Sequence, residues 1–221
     1  MKSLFVRAIP LLLLPLLFYS CAKKDAVARV TQVVVDYVEG DVLIDGEVAV
    51  AGQELDPKFT VQTGEASYCA VIFDAKNIMH IDAETVASVD LGQAVKQVTL
   101  ERGIIASAFR KLDQVAGSDG ERFRLTTPTA VAGVRGTVFF VKVESEESSY
   151  VCACNGVLHI NDDDGENDRV VESAHHAAFR YIQEGDGVSS SVAPLLFHTD
   201  QMRELGAARI GETIDWTTVG S

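Results

Sequence analysis

Residues 126–143 read TTPTAVAGVRGTVFFVKV, and their pattern decides the fold. Pro128 has no amide hydrogen and restricts Thr127 before it, so regular pairing stops there. Ala130, Ala132 and Val134 then alternate with Val131, Gly133 and Arg135, the pattern of a strand with two distinct faces. Gly136 follows, and its missing Cβ suits a bulge or a close backbone approach. Thr137 to Val143 is a second run of β-branched and aromatic residues, good strand material. The stretch predicts strand, glycine kink, strand. Arg135 is the charged residue inside this apolar run. Such an arginine more often pairs with a carboxylate or turn carbonyls than with a partner group, so Arg135 and Gly136 are read as shaping the kink.

Working outward, the same grammar repeats. Upstream, residues 29–38 form a strand, and Asp45-Gly46 is the tight turn of a hairpin spanning 39–50. Short strands are expected at 59–62, 67–73, 78–81, 85–91 and 97–101. Arg102-Gly103 reads as a turn into a further strand at 104–109, and 115–121 as a polar loop. Downstream, Tyr150 to Asn161 reads as a strand pair kinked at Gly156, and Val170 to Glu184 as one or two more strands. Short strands recurring every ten or so residues, with Gly or Asp-Gly between, give an all-β sandwich, roll or short solenoid. From Pro194 the pattern changes. Thr199 caps a helix running from Gln201 to about Ile210, apolar at Met202, Leu205 and either Ala208 or the stem of Arg209. Such a helix is marginal alone and must dock on the β-body; Trp216 gives the tail an apolar anchor.

The N-terminus reads as an address. Met1 to Arg7 is cationic, and Ala8 to Tyr19 is apolar and broken by Pro10 and Pro15. As a helix this segment would be about 18 Å long, too short for a ~30 Å hydrocarbon core, so it is a signal peptide. It ends Ser20-Cys21-Ala22, which resembles a bacterial lipobox cleaved between Ser20 and Cys21. Cys21 would then carry the acyl chains, palmitate among them, that hold the protein at a membrane. The expected organisation is residues 1–20 signal peptide, 21–30 acylated N-terminus and tether, 31–190 β domain and 191–221 helix and tail.

Charge narrows the function. The formal net charge is −13, and residues 1–20 hold Lys2, Arg7 and no acid, so the remainder carries −13 − 2 = −15. Such a surface repels phosphate backbones, which argues against nucleic acid.

Candidate chemistry is sparse. The acidic run Asp162 to Asp168 fails as an EF-hand: counting back from Gly165 puts Ile160 and Val171 at ligand positions. Cys152-Ala153-Cys154 places both thiols on one side of a strand, but lacks the spacing of common zinc or redox motifs. Cys69 could bridge to either in an oxidising compartment. His159, His175 and His176 would be ligands only if the fold brought them near. His175 and His176 point to opposite faces if their segment is a strand. No metal site, cofactor or catalytic constellation is expected.

The string TPTAVAGVRGTVF resembles the FecR domain of bacterial envelope proteins. Val61-Gln62-Thr63-Gly64, Leu100-Glu101-Arg102-Gly103, Phe123 to Pro128 and Asn155-Gly156-Val157-Leu158 follow in the order of that family. The resemblance covers roughly Gly40 to Gly185, with Pro128, Arg135, Gly136, Thr137 and Gly156 as its structural motif. It implies a non-catalytic, periplasmic or surface all-β module. In the namesake regulators a cytoplasmic segment contacts a sigma factor and a membrane-spanning helix carries the signal. Neither has a counterpart in this sequence, so the resemblance implies the domain and its side of the membrane, not that mechanism. The reading is an envelope lipoprotein that binds an unidentified envelope protein for interaction or signal sensing. The alternative is a carbohydrate or peptidoglycan binder, which would need an exposed aromatic platform.

Overall fold

The computed structural model of the chain describes residues 32–109, 122–162, 165 and 167–220. The expected signal segment with Ser20, the acylation candidate Cys21, the expected tether and the expected 115–121 loop lie outside the described residues, as does the side chain of Arg135. The described chain is all-β with one short helix. Its strands are β1 (Val33–Glu39), β2 (Val42–Ile44), β3 (Glu47–Val48), β4 (Lys58–Thr63), β5 (Tyr68–Phe73), β6 (Asn77–Ile81), β7 (Val86–Asp90), β8 (Lys96–Phe109), β9 (Phe123–Thr126), β10 (Val131–Ser145), β11 (Ser148–Asn161), β12 (Arg169–Ser173), β13 (Ala177–Glu184) and β14 (Gly187–Ala193), followed by α1 (Asp200–Ala208).

One sheet holds all of them. Its main path is β14-β13-β11-β10-β9-β8-β7-β4-β2-β3; β6 joins through β8, β5 through β6, and β1 through β5. The expected hairpin turn is present, with Asp45 and Gly46 at φ +52° and +82°, the left-handed pair that a two-residue turn requires. Pro128 sits where β9 turns into β10. There Thr127 Oγ1 accepts from the Ala130 amide at 2.9 Å, so the turn is held by a side chain where proline offers no donor.

The three long strands β8, β10 and β11 organise the sheet, and each changes partner along its length. The first part of β8 pairs with β7 and, in parallel, with β9; its second part pairs with β6 and β10. The first part of β10 pairs with β9 and its second with β8. β11 pairs first with β13, then with β12. A glycine at positive φ marks each change: Gly103 at +89°, Gly136 at +87° and Gly156 at +128°. The kinks expected at Gly136 and Gly156 are therefore there. At Gly103 the expected turn is a correction: the strand runs on through it. The residue departs from a turn because a neighbour fills the space a side chain would occupy. Thr85 lies against Gly103 and its Oγ1 accepts from the Ile104 amide at 2.9 Å. The same device recurs at Gly156. There Thr137 Oγ1 accepts from the Val157 amide at 3.1 Å and donates to the Val157 carbonyl at 2.9 Å. A hydroxyl thus supplies the pairing that the kinked backbone gives up.

Alternation along these strands makes two cores. The larger takes Val71, Phe73, Met79, Ile105, Phe109, Phe123, Phe139 and Val151, among others. Its aromatic centre is Phe109, whose ring centroid lies 5.3 Å from Phe73, 4.6 Å from Phe123 and 5.4 Å from Phe139. The second core lies on the other face, with Ile78, Ala106, Phe140, Tyr150, Cys152 and Cys154, and the C-terminal segment covers it through Ala207 and Ile210.

This two-face arrangement corrects the Cys69 bridge. Register runs Cys69 to Ile81, Ile81 to Ile105, Ile105 to Val141 and Val141 to Val151. Cys69 thus lines up with Val151, four ladder steps or about 19 Å away. It faces the main core while Cys152 and Cys154 face the second, and all three thiols are free.

The helix begins as expected, with the Thr199 side chain accepting from the Met202 amide. Its docking face is a second correction. Arg203, Gly206 and Ala207 are buried, whereas Met202 and Leu205 are exposed. Gly206 allows close approach to the sheet: a Cβ there would stand 2.7 Å from His80 Nε2. Close packing against β6 and β8, not the apolar side chains, sets the orientation of α1.

Candidate functional site

The first half of β11 carries Cys152 and Cys154. The two-residue period of a strand turns both thiols into the second core and Ala153 into the first. Their Sγ atoms are 3.8 Å apart, and neither residue is exposed.

Two histidines meet them from distant parts of the chain. His176 stands in the bend between β12 and β13, at φ +49°. Its amide donates to the Cys154 carbonyl at 2.9 Å, which fixes the bend against β11, and its Nδ1 lies 3.6 Å from Cys152 Sγ. His198 comes from the link between β14 and α1, after Phe197 at φ +66°. Its Nε2 is 3.3 Å from Cys154 Sγ and 3.3 Å from His176 Nδ1. The four donor atoms lie within 4.8 Å of one another.

The outer nitrogens fix the tautomers. His176 Nε2 is 2.8 Å from Asp200 Oδ1, and His198 Nδ1 is 2.9 Å from the Leu196 carbonyl. Carboxylate and carbonyl oxygens only accept, so the outer nitrogens carry the protons and the inner ones of the neutral rings face the thiols with lone pairs. His198 stacks on Phe140 with centroids 4.2 Å apart, and His176 on Trp216 at 5.0 Å. Trp216 Nε1 donates to Glu204 Oε1 at 2.8 Å. Asn155, the residue after Cys154, holds the tail: its Nδ2 lies 2.9–3.1 Å from the carbonyls of Ala174, Asp215 and Thr218. The expected tail anchor, Trp216, thus covers the cluster.

Electrostatically the two thiols differ. The Cys152 thiol is held well below the usual range, chiefly because Cys154 donates to its sulfur, with His176 and His198 assisting against burial. Burial and the neighbouring Cys152 push Cys154 up. Burial alone would lower His176, but Cys152 and Asp200 outweigh it and hold the imidazole above its ordinary value. The arrangement can therefore present one thiolate, a second thiol and two imidazoles to one point.

Of the residues singled out in the sequence, the fold unites Cys152, Cys154 and His176. Cys69 faces the other core. His159 contacts Asp168 instead. Pro128 stands in the β9–β10 turn, and Gly136, Thr137 and Gly156 form the kink beside the cluster. The premise that His175 and His176 diverge in a strand is corrected: they occupy a bend, and both reach Asp200, His175 Nε2 at 3.0 Å. His198 and Asp200 were not legible as site residues. A second feature is a groove of about 460 Å³ between α1 and the sheet, bordered by Tyr37, Tyr68, His80, Met202 and Leu205.

Comparison with known proteins places part of this scaffold. Residues 59–158, from β4 to the second half of β11, match the family model described as "FecR protein". No curated protein matches the chain. Two crystal structures of a "putative anti-sigma factor" from Parabacteroides distasonis ATCC 8503, at 1.65 and 2.50 Å resolution, are similar at 16% identity, with TM-scores of 0.46 and 0.47. The similarity covers 60% of this chain and spans 59% of the length of those chains.

Proposed function

We propose, from the match of residues 59–158 to the FecR family model, that the protein is a non-catalytic module of the bacterial envelope. It is anchored by acyl chains on Cys21 and takes part in signal sensing by binding another envelope protein. The family match carries this reading, because the matched strands β4 to β11 build the kinked centre of the sheet. The surface suits a protein partner. Strand β14 pairs with β13 alone among the described residues, and Val192 on it is 78% exposed. An open edge of this kind accepts an added strand.

The reading is tested in cells with a photo-crosslinking residue at Val192, alongside fractionation of a Cys21→Ala variant. A discrete crosslinked envelope protein, and loss of membrane association in the variant, are the expected results. A Cys21→Ala protein that is cleaved yet stays on the membrane rules out the anchor. Absence of any discrete adduct from positions along β14 removes the edge as the docking site.

One observation favours glycan binding as a second reading. Tyr37 and Tyr68 are 40% and 44% exposed beside the groove under α1, where aromatic faces could receive a sugar. Glycan-array binding that disappears in a Tyr37→Ala, Tyr68→Ala variant would favour it; an empty array removes it.

A further inference from the structure

We infer that Cys152, Cys154, His176 and His198 form a binding site for one zinc ion, with Asp200 and the Leu196 carbonyl orienting the two imidazoles. Zinc bonded to sulfur at ~2.3 Å and nitrogen at ~2.0–2.1 Å in a tetrahedron requires edges of about 3.8 Å for S–S, about 3.5 Å for S–N and about 3.4 Å for N–N. The protein presents 3.8 Å between the sulfurs, 3.6 and 3.3 Å for two sulfur–nitrogen edges, and 3.3 Å between the nitrogens. The other two edges fall within 4.8 Å.

The nitrogen pair separates this reading from a plain hydrogen-bonded core. With Asp200 and Leu196 taking the outer protons, two imidazole lone pairs face each other at 3.3 Å. Two acceptors at that distance repel unless a proton or a cation stands between them. A thiol proton can serve one nitrogen, whereas a single cation serves both nitrogens and both sulfurs. The surroundings match what metal sites use: a histidine whose far nitrogen donates to a carboxylate, another whose far nitrogen donates to a backbone carbonyl, and an apolar shell of buried Phe140 and Tyr150 and partly buried Trp216. Two thiolates and two imidazoles in tetrahedral array select zinc among common divalent ions. All four positions are filled by protein, so the ion is structural and leaves no place for a substrate. It fastens three separate segments: β11, the bend at 174–176 and the link into α1.

The test uses the full chain, purified in detergent with its thiols reduced. One zinc per chain is expected by elemental analysis after dialysis. Cobalt(II) in its place should give the strong visible bands of a tetrahedral ion and thiolate-to-cobalt charge transfer. Cys154→Ser and His198→Asn should lose the metal, and Asp200→Asn should weaken binding roughly 10–100-fold. Cys69→Ser, whose thiol faces the other core, should keep full occupancy. His176→Cys keeps a ligand, so a cobalt spectrum with stronger charge transfer serves even if other variants fold poorly. Chelation should expose 194–220 to protease while the sheet stays resistant. Cobalt lacking charge transfer, equal metal loss in Cys69→Ser, or uptake of copper(I) but not zinc would overturn the assignment.

Discussion

A Cβ placed on Gly103 would fall 2.4 Å from the Cα of Thr85. The contact is with backbone, so no rotamer change relieves it. Gly103→Ala should therefore cost at least about 3 kcal/mol, combining left-handed backbone strain with overpacking. Gly46, at φ +82°, is the control because nothing lies within 4 Å of its position. Gly46→Ala should cost only about 1–2 kcal/mol. Urea midpoints of the two variants check this; equal losses would show that the Thr85 contact yields.

The hydroxyl of Thr137 serves both the amide and the carbonyl of Val157. Thr137→Val keeps the shape and removes both bonds beside the Gly156 kink. It should destabilise by about 1–2 kcal/mol, since two partly buried backbone groups lose their partner. Thr137→Ser should recover most of this. Hydrogen exchange at the Val157 amide, faster in the valine variant alone, identifies the cause.

Gly206 sets helix propensity against packing. In an exposed helix, alanine in place of glycine gains about 0.5–1 kcal/mol. Here the new Cβ meets the His80 ring at 2.7 Å, so Gly206→Ala should instead lose about 1–3 kcal/mol. In a His80→Ala background the same substitution should be stabilising. A double-mutant cycle by thermal unfolding reads the sign change.

His80 also predicts a pH dependence. Burial, then the positive charges of Arg203 and Arg209, lower its pKa to about 4, against smaller opposing pulls from the Gly206 backbone and then Asp36. Its unfolded value is about 6.5. Between these values the unfolded chain binds the proton and the folded one does not, so stability rises with pH. The contribution is complete above about pH 6.5 and is lost as pH falls towards 4, roughly 3 kcal/mol in all. His176, with its raised value, titrates above this window. Unfolding free energies from pH 4 to 7 should fall steeply on the acid side for the wild type and flatten for His80→Gln.

Much of the fold was legible because local rules decided it. Alternation placed the strands, Asp45-Gly46 the hairpin and Thr199 the start of α1. Glycine spacing also revealed two kinks, at Gly136 and Gly156. Gly103 was misread because its φ is the same in a turn and in a bent strand; only Thr85, 18 residues earlier (103 − 85), distinguishes them. The period of β11 correctly put both thiols on one face. What no local rule supplied was the return of the chain. His176 lies 22 residues after Cys154 and His198 another 22 after that (176 − 154 and 198 − 176). Their meeting depends on two left-handed residues, His176 and Phe197, where side chains rarely adopt that conformation. The helix face was misjudged for a related reason: closeness to His80 outweighed the apolarity of Met202 and Leu205.

Strand β8 joins early strands on one side to later ones on the other, and this bears on how the protein is made. In chain order β6 and β7 precede the end of β8, so both can pair with it once Phe109 is in place. Its opposite edge must wait for β9 and β10, up to 34 residues further on (143 − 109). Until they arrive, the folding chain presents a long, unpaired and largely apolar strand edge, the kind of surface that aggregates or recruits a chaperone. Pairing of Ile104 to Ala108 with Val138 to Lys142 thus closes the strand edge most open to aggregation during folding.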